Sequence, residues 1–166
     1  MRSPLIALTA FALMEPITAL THRYVMHGVG LALHRSHHRR VRPGESEQRW
    51  EANDAFPIMF AAVVMFGLAI GFNVRGWSML VPVGVGITAY GAAYALVHDI
   101  YIHHRLRLFG GHLLPGFERL ARAHRVHHER NGAPYGMLLP LPDRRPGRQP
   151  IRCANGSRPS HDPLDA

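Results

Sequence analysis

The chain has 166 residues and a formal charge of +8, and its nineteen basic residues are all arginine. A mean hydropathy of −0.06 is that of a soluble protein, yet it averages over two uncharged runs of nineteen residues, 56–74 and 79–97. Each is long enough to cross a hydrocarbon core of about 30 Å. The single cysteine, Cys153, excludes an intrachain disulfide and a cysteine-built zinc site.

In chain order, the first candidate span is the weaker apolar run 4–20, which carries Glu15 and Pro16 near its end. It reads as a retained anchor rather than a cleaved signal, because it lacks a convincing cleavage site. Glu15 either reaches the interface from a shallow, tilted segment or sits beneath a functional site, since intramembrane carboxylates are often functional. The run 56–74 then crosses outward, Arg75, Gly76, Trp77 and Ser78 form a tight turn, and 79–97 returns. Glycines 84, 86 and 91 and alanines 92 and 93 in that return suit close helix approach. The plainer reading of the two long runs is a pair of buried core helices, but so short a chain leaves little material to bury them. With three spans, Arg2 and Arg75 lie on one side and the other seventeen arginines on the other. The positive-inside rule makes the arginine-rich side cytoplasmic. This explains the basic balance more simply than nucleic-acid binding does.

Ten of the thirteen histidines fall into a pattern written twice. An H-x-x-x-x-H pair, His22 and His27, precedes an H-x-x-H-H stretch, His34, His37 and His38. A second pair, His98 and His103, precedes His124, His127 and His128. Histidines three or four residues apart project to one side of a helix, so each H-x-x-H-H stretch is expected to aim three imidazoles at one point. His22 lies further round the helix. His27 and His34 are separated by about 10 Å of straight helix. Either the chain bends at Gly28 to Gly30, or a straight helix serves a different metal at each end. Neutral imidazole is a ligand for iron, zinc, copper and nickel, and ten nitrogens suit two metals with about five ligands each. An odd number of crossings before the first set, with a two-span hairpin between the sets, puts all ten on one side, where they form a pseudo-twofold site. Spacing does not choose between iron and zinc.

The polar connection 41–55 carries the turn signal Pro43-Gly44, with Trp50 and Phe56 at interfacial positions. Gly110-Gly111 and Pro115-Gly116 mark a loop. From Phe117 an amphipathic helix sets Phe117, Leu120, Ala121, His124, His127 and His128 against Glu118, Arg119, Arg122, Arg125 and Glu129. Asn131-Gly132 ends it. Asp99, Glu129 and Asp54 are candidates to orient the imidazoles, although an ordinary solvated or paired acid is the plainer reading for Glu129. For Tyr24, Tyr90, Tyr94 and Tyr101, packing or interfacial anchoring is the plainer role, and lining a tunnel is the alternative. The expected fold class is all-α: a membrane helical bundle of about three transmembrane spans with a cytoplasmic histidine-rich helical cap. Residues 1–140 form one domain, and 141–166 form a disordered tail rich in proline and arginine.

At these boxes the chain resembles the bacterial β-carotene hydroxylases of the membrane fatty-acid-hydroxylase superfamily. The likeness runs from Met14 to Pro140 and includes residues 14–28 (MEPITALTHRYVMHG), 33–38 (LHRSHH), Asn53-Asp54, 86–91 (GITAYG), 96–99 (LVHD) and 123–128 (AHRVHH). It implies a non-haem di-iron monooxygenase in the bacterial cytoplasmic membrane, with its site on the cytoplasmic side. His22, His27, His34, His37, His38, His98, His103, His124, His127 and His128 would ligate two iron ions. O2 would be the co-substrate and a ferredoxin-like protein the electron donor. The substrate would be a carotenoid in membrane lipid, hydroxylated at ring carbon 3 of its β-ionone rings to β-cryptoxanthin and zeaxanthin. The chain departs from the family pattern in its short first span, in the tail after Pro140, and in His104, which follows the second pair and competes with His103. The alternatives are another membrane di-iron lipid enzyme, whether a fatty-acid or sterol hydroxylase, a desaturase or a carotenoid ketolase, and a non-catalytic membrane metal-binding protein. A nucleic-acid partner is not expected.

Overall fold

In the computed structural model, residues 2–39, 50–106 and 114–139 are described. The Pro43-Gly44 turn, the Gly110-Gly111 loop and the tail 141–166 lie outside them. Every element among the described residues is helical. Helix α1 (Arg2–Thr21) runs straight into a π-helical segment (His22–Val29) and then a short α2 (Leu31–His34). A 3-10 turn (Ala52–Asp54) leads into α3 (Ala55–Asn73). Helix α4 (Leu80–Ala95) passes into a second π-helical segment (Leu96–Ile102), and α5 (Pro115–Arg130) follows.

Three helical stretches are long and apolar enough to cross a membrane: Ser3–Val29, Ala52–Asn73 and Leu80–Ile102. Their large apolar side chains face outward, as Leu5, Phe66 and Phe72 do at 66%, 69% and 71% exposure. A water-soluble protein rarely leaves so much contiguous apolar surface uncovered, whereas lipid covers it without cost. The first span is not short. The apolar run 4–20 underestimates it because the helix continues through the first histidine pair instead of stopping before it.

Helix α4 packs between α1 and α3, and glycine sets the spacing on both sides. A Cβ at Gly86 would lie 2.1 Å from the carbonyl oxygen of Ala7 in α1, and one at Gly84 would lie 2.5 Å from Leu68 in α3. Close backbone approach through small residues is how membrane helices gain packing energy when lipid is as apolar as they are. Gly91, expected to do the same, has nothing within 4 Å of its Cβ position. The far turn between α3 and α4 falls on Arg75 to Ser78 as expected, with Gly76 at φ +87°. Only glycine takes that conformation without strain.

Pro115 and Gly116 open α5 rather than belonging to a loop. Proline suits the first helical position because its missing N–H has no partner there in any case. The helix ends at Asn131, in the left-handed conformation at φ 51°. Residues 132–139 then return to α1. The Leu138 N–H donates to both oxygens of the Glu15 carboxylate at 3.1 Å, the Leu139 N–H to Oε1 at 2.8 Å and the Tyr90 hydroxyl to Oε2 at 2.6 Å. Glu15 therefore has a structural partner set inside the bundle: it ties α4 and the returning segment to α1.

Two outcomes follow from these contacts. Leucine at Gly86 should force α1 and α4 apart and destabilise the bundle by about 1–3 kcal/mol, read as a lower melting temperature of the detergent-solubilised protein. Gly91→Ala should leave that temperature unchanged or slightly raised. Glu15→Leu should free the returning segment. Hydrogen bonds to a charged group contribute about 1.5–3 kcal/mol, so chymotrypsin cleavage after Tyr135 should accelerate roughly tenfold or more.

Candidate metal centre

The two H-x-x-x-x-H pairs lie in the two π-helical segments. In an α-helix, residues five apart point about 140° away from each other, at about 100° per residue. A π-turn closes i→i+5 hydrogen bonds and brings those residues toward one side. The His103 N–H donates to the carbonyl of His98 at 3.0 Å, which is this bond, and the Gly30 N–H does the same to Val25 at 2.8 Å. The ring centroids of His98 and His103 are thereby 4.7 Å apart, and those of His22 and His27 are 5.1 Å apart. His22, placed further round by α-helical periodicity, is thus turned toward its partner.

The bend expected at Gly28 to Gly30 is present. Gly28 leaves the helical region at φ −109°, ψ −113°, and the rings of His27 and His34 meet at 4.7 Å. Gly30 is needed for a second reason: a Cβ there would lie 2.5 Å from the ring of Phe56. Phe56, half-buried near the start of the second span, packs against the bend.

The described residues contain two histidine groups suited to hold a metal ion. His22, His27, His34, His38 and His127 form one, and His37, His98, His103 and His124 form the other, with one nitrogen from each ring of a group within 4.8 Å of the rest. His128 joins the second, its Nε2 lying 2.8 Å from that of His124 and 3.2 Å from that of His37. The expectation that each H-x-x-H-H stretch aims three imidazoles at one point is corrected here. His34 and His38 share the first group while His37 goes to the second; His124 and His128 share the second while His127 goes to the first. Residues four apart stack on one side of a helix, but neighbours diverge by about 100°. The doubled histidine therefore addresses two centres. Each half of the chain lends its middle histidine to the other half's group, in the pseudo-twofold manner expected.

The hydrogen bonding of the outward ring nitrogens tests whether the groups fit a cation. The Nδ1–H of His34 donates to Asn53 Oδ1 at 2.7 Å, that of His22 to the Tyr135 carbonyl at 3.2 Å, and that of His127 to the Gly132 carbonyl. In the second group, His37 donates to Glu51 at 3.1 Å and His98 to Asp99 at 2.7 Å. A neutral imidazole carries one N–H, so these bonds leave the inward Nε2 atoms as bare lone pairs. Yet His22 and His34 bring their Nε2 atoms to 3.0 Å, and His37 and His98 to 3.1 Å. Two lone pairs repel at that distance unless a cation lies between them. Nitrogens bound at about 2.1 Å to one ion are about 3.0 Å apart at a right angle and about 3.4 Å apart at the tetrahedral angle. The shortest separations, from 2.8 to 3.3 Å, are those of nitrogens that can share one ion.

Electrostatics agree. Burial foremost, with the neighbouring imidazoles adding to it, pushes His38 and His127 down to about 3 and His128 to about 2. The same causes hold His37 and His124 well below the ordinary histidine range. These rings are neutral at physiological pH, the form in which imidazole binds metal.

Of the acids named from sequence, Asp99 faces a ring nitrogen as expected. Asp54 acts one step further out: it accepts from Arg105 at 2.6 Å, and Arg105 pairs with Glu51 at 3.2 Å. Glu129 is exposed on the rim of an open cavity of ≈ 450 Å³ beside His37, His103 and His124. Glu51 and the carbonyls of Gly132 and Tyr135 were not foreseen. Glu51 lies in a polar stretch without periodicity, and backbone carbonyls leave no mark in a sequence. His103 enters the second group, with Nε2 3.0 Å from that of His124, while His104 is exposed at φ 49°. Tyr24 is exposed, Tyr94 packs on the His98 ring, and the Tyr101 hydroxyl bonds the backbone of Leu114.

Comparisons with known proteins agree with this architecture. A family model described as fatty acid hydroxylase matches residues 7–147. A β-carotene hydroxylase of Pseudescherichia vulneris is 41% identical over 131 residues, 77% of this chain and 69% of that one. One of Pantoea ananas is 39% identical over 119 residues, 72% and 64% of the two chains. The chloroplastic β-carotene hydroxylase 1 of Capsicum annuum is 37% identical over 133 residues, 76% of this chain but only 40% of its own length. No solved structure matches. With a family model matched over most of its length and bacterial relatives sharing two fifths of their aligned residues, the chain belongs to the fatty acid hydroxylase family.

Proposed function

We propose that the protein is a β-carotene 3-hydroxylase, an O2-dependent di-iron monooxygenase that converts β-ionone rings to their 3-hydroxy form, giving β-cryptoxanthin and zeaxanthin. The observation that carries this reading is the pair of five-histidine groups with converging lone pairs, in a chain whose similar proteins are named β-carotene hydroxylases. His22, His27, His34, His38 and His127 hold one iron, and His37, His98, His103, His124 and His128 hold the other. When bound, the iron pair supplies the activation of O2 and the insertion of one oxygen atom into a C–H bond.

The chain's own residues supply the rest. Asn53, Glu51, Asp99 and the carbonyls of Gly132 and Tyr135 hold the rings so that their Nε2 atoms face inward. Such outer partners fix the tautomer and orientation of metal-binding histidines. The spans bring an apolar substrate to the site through the membrane, and an apolar groove between α1 and α4, lined by Leu5, Leu13, Ile17, Val83 and Ile87, fits that class of molecule. The histidine side faces the cytoplasm, by the arginine asymmetry. There the exposed arginines 119, 122 and 125 of α5 offer a docking surface to an acidic ferredoxin-like donor. Residues 1–140 form the catalytic membrane domain and 141–166 a disordered tail.

Pigment analysis in a host that makes β-carotene tests the reaction. Wild type should yield zeaxanthin, and His37→Ala and His127→Ala should each reduce it at least a hundredfold, because each removes one ligand from one of the two iron shells. No zeaxanthin from intact, iron-loaded wild type would sink the proposal, and equal zeaxanthin from wild type and His37→Ala would refute the ligand role. If docking is electrostatic, turnover with an acidic donor should fall as ionic strength rises, whereas turnover with a small neutral reductant should not.

A further inference from the structure

The two histidine groups differ in the charge placed behind them. In the first, the acceptors behind His22, His34 and His127 are two backbone carbonyls and the side-chain amide of Asn53, all neutral. In the second, the acceptors behind His37 and His98 are the carboxylates of Glu51 and Asp99. Arg105 pairs with Glu51, at 3.2 Å, and with Asp54, at 2.6 Å, and leaves the Glu51 carboxylate as the acceptor facing His37. The two exchanged histidines, His37 and His127, occupy equivalent places in their H-x-x-H-H stretches yet have opposite backing: a carboxylate for His37 and a carbonyl for His127.

An imidazole that donates to a carboxylate is more basic at its other nitrogen than one that donates to a neutral carbonyl, and nearby negative charge attracts a cation directly. We propose that the two groups are unequal sites for divalent metal: the group of His37, His98, His103, His124 and His128 binds more tightly and fills first, with Glu51 and Asp99 as its positioning residues. This rests on the two-metal reading above. Removing an outer partner of this kind typically costs 10–100-fold in metal affinity, so two carboxylates against neutral acceptors separate the sites by at least about tenfold.

The test is titration of the full-length, detergent-solubilised protein, stripped with chelator, with cobalt(II). The readouts are the visible absorption of the bound ion and competition with a chromophoric chelator. Two equivalents should bind in two phases at least tenfold apart. His103→Ala should abolish the tight phase and His27→Ala the weak one, which assigns them. Glu51→Gln, nearly isosteric, should weaken the tight phase 10–100-fold and leave the weak phase in place. Asn53→Asp, which puts a carboxylate behind His34, should tighten the weak phase and bring the two together. Two equivalents of equal affinity, or a loss in the weak phase on Glu51→Gln, would overturn the inequality while leaving the two-metal reading intact. Binding of one equivalent or none would overturn both.

Discussion

The structure is organised around inward lone pairs that a shared cation would hold together. Its most completely buried side chains are not aliphatic: His34 and His127 are the largest of them. Their inward nitrogens carry lone pairs because their outward nitrogens already donate to Asn53 and to the Gly132 carbonyl. An interior of this kind has little hydrophobic stabilisation of its own. Met14, Tyr90, Val97, Tyr101 and Met137 are the buried apolar residues among those described, too few to hold a cap together against the cost of burying unpaired polar groups. The membrane helices solve part of that problem. They provide a frame packed through Gly84 and Gly86 in the half next to the far turn, and the histidine groups are built at the opposite ends of the spans.

Local helix geometry converts that frame into convergence. A straight α-helix cannot aim residues five apart at one point, and both H-x-x-x-x-H pairs need that. The π-turns supply it, at the expense of the better backbone geometry of an α-helix. The kink at Gly28 supplies the other missing element by folding His34 back toward His27. Glu15 and Tyr90 fasten the segment that follows α5. That segment provides the carbonyls behind His22 and His127, so a carboxylate inside the bundle influences ring orientation through the backbone.

The parts legible in the sequence are those written as composition or as side-chain period. The long spans show as uncharged runs, the far turn as Gly76, and the end of α5 as Asn131. The ten histidines show by repetition, and the bend shows because Gly28 and Gly30 stand between two histidines that a straight helix would hold apart. The extent of the first span was not legible, because His22 and His27 end its apolar run although the helix continues past them. Nor was the role of Glu51, which the fold brings to His37 from a stretch with no helical or strand pattern. Carbonyl acceptors such as that of Tyr135 are invisible in principle, since every residue has one.

The exchange of His37 and His127 accounts for the motif itself. A stretch serving one ion needs only residues four apart, as His34 and His38 or His124 and His128 are. The middle histidine, three residues after the first, is turned about 60° from it and about 100° from the last at helical spacing, and both His37 and His127 go to the other group. Such a histidine becomes useful only if a second ion lies on that side. H-x-x-H-H therefore serves two groups at once, in the turn that follows α2 for His34, His37 and His38 and on α5 for His124, His127 and His128. Each group then requires both stretches. Neither half of the chain completes a site alone, which is why the hairpin of α3 and α4 that brings the halves together is as necessary to the centre as the histidines are.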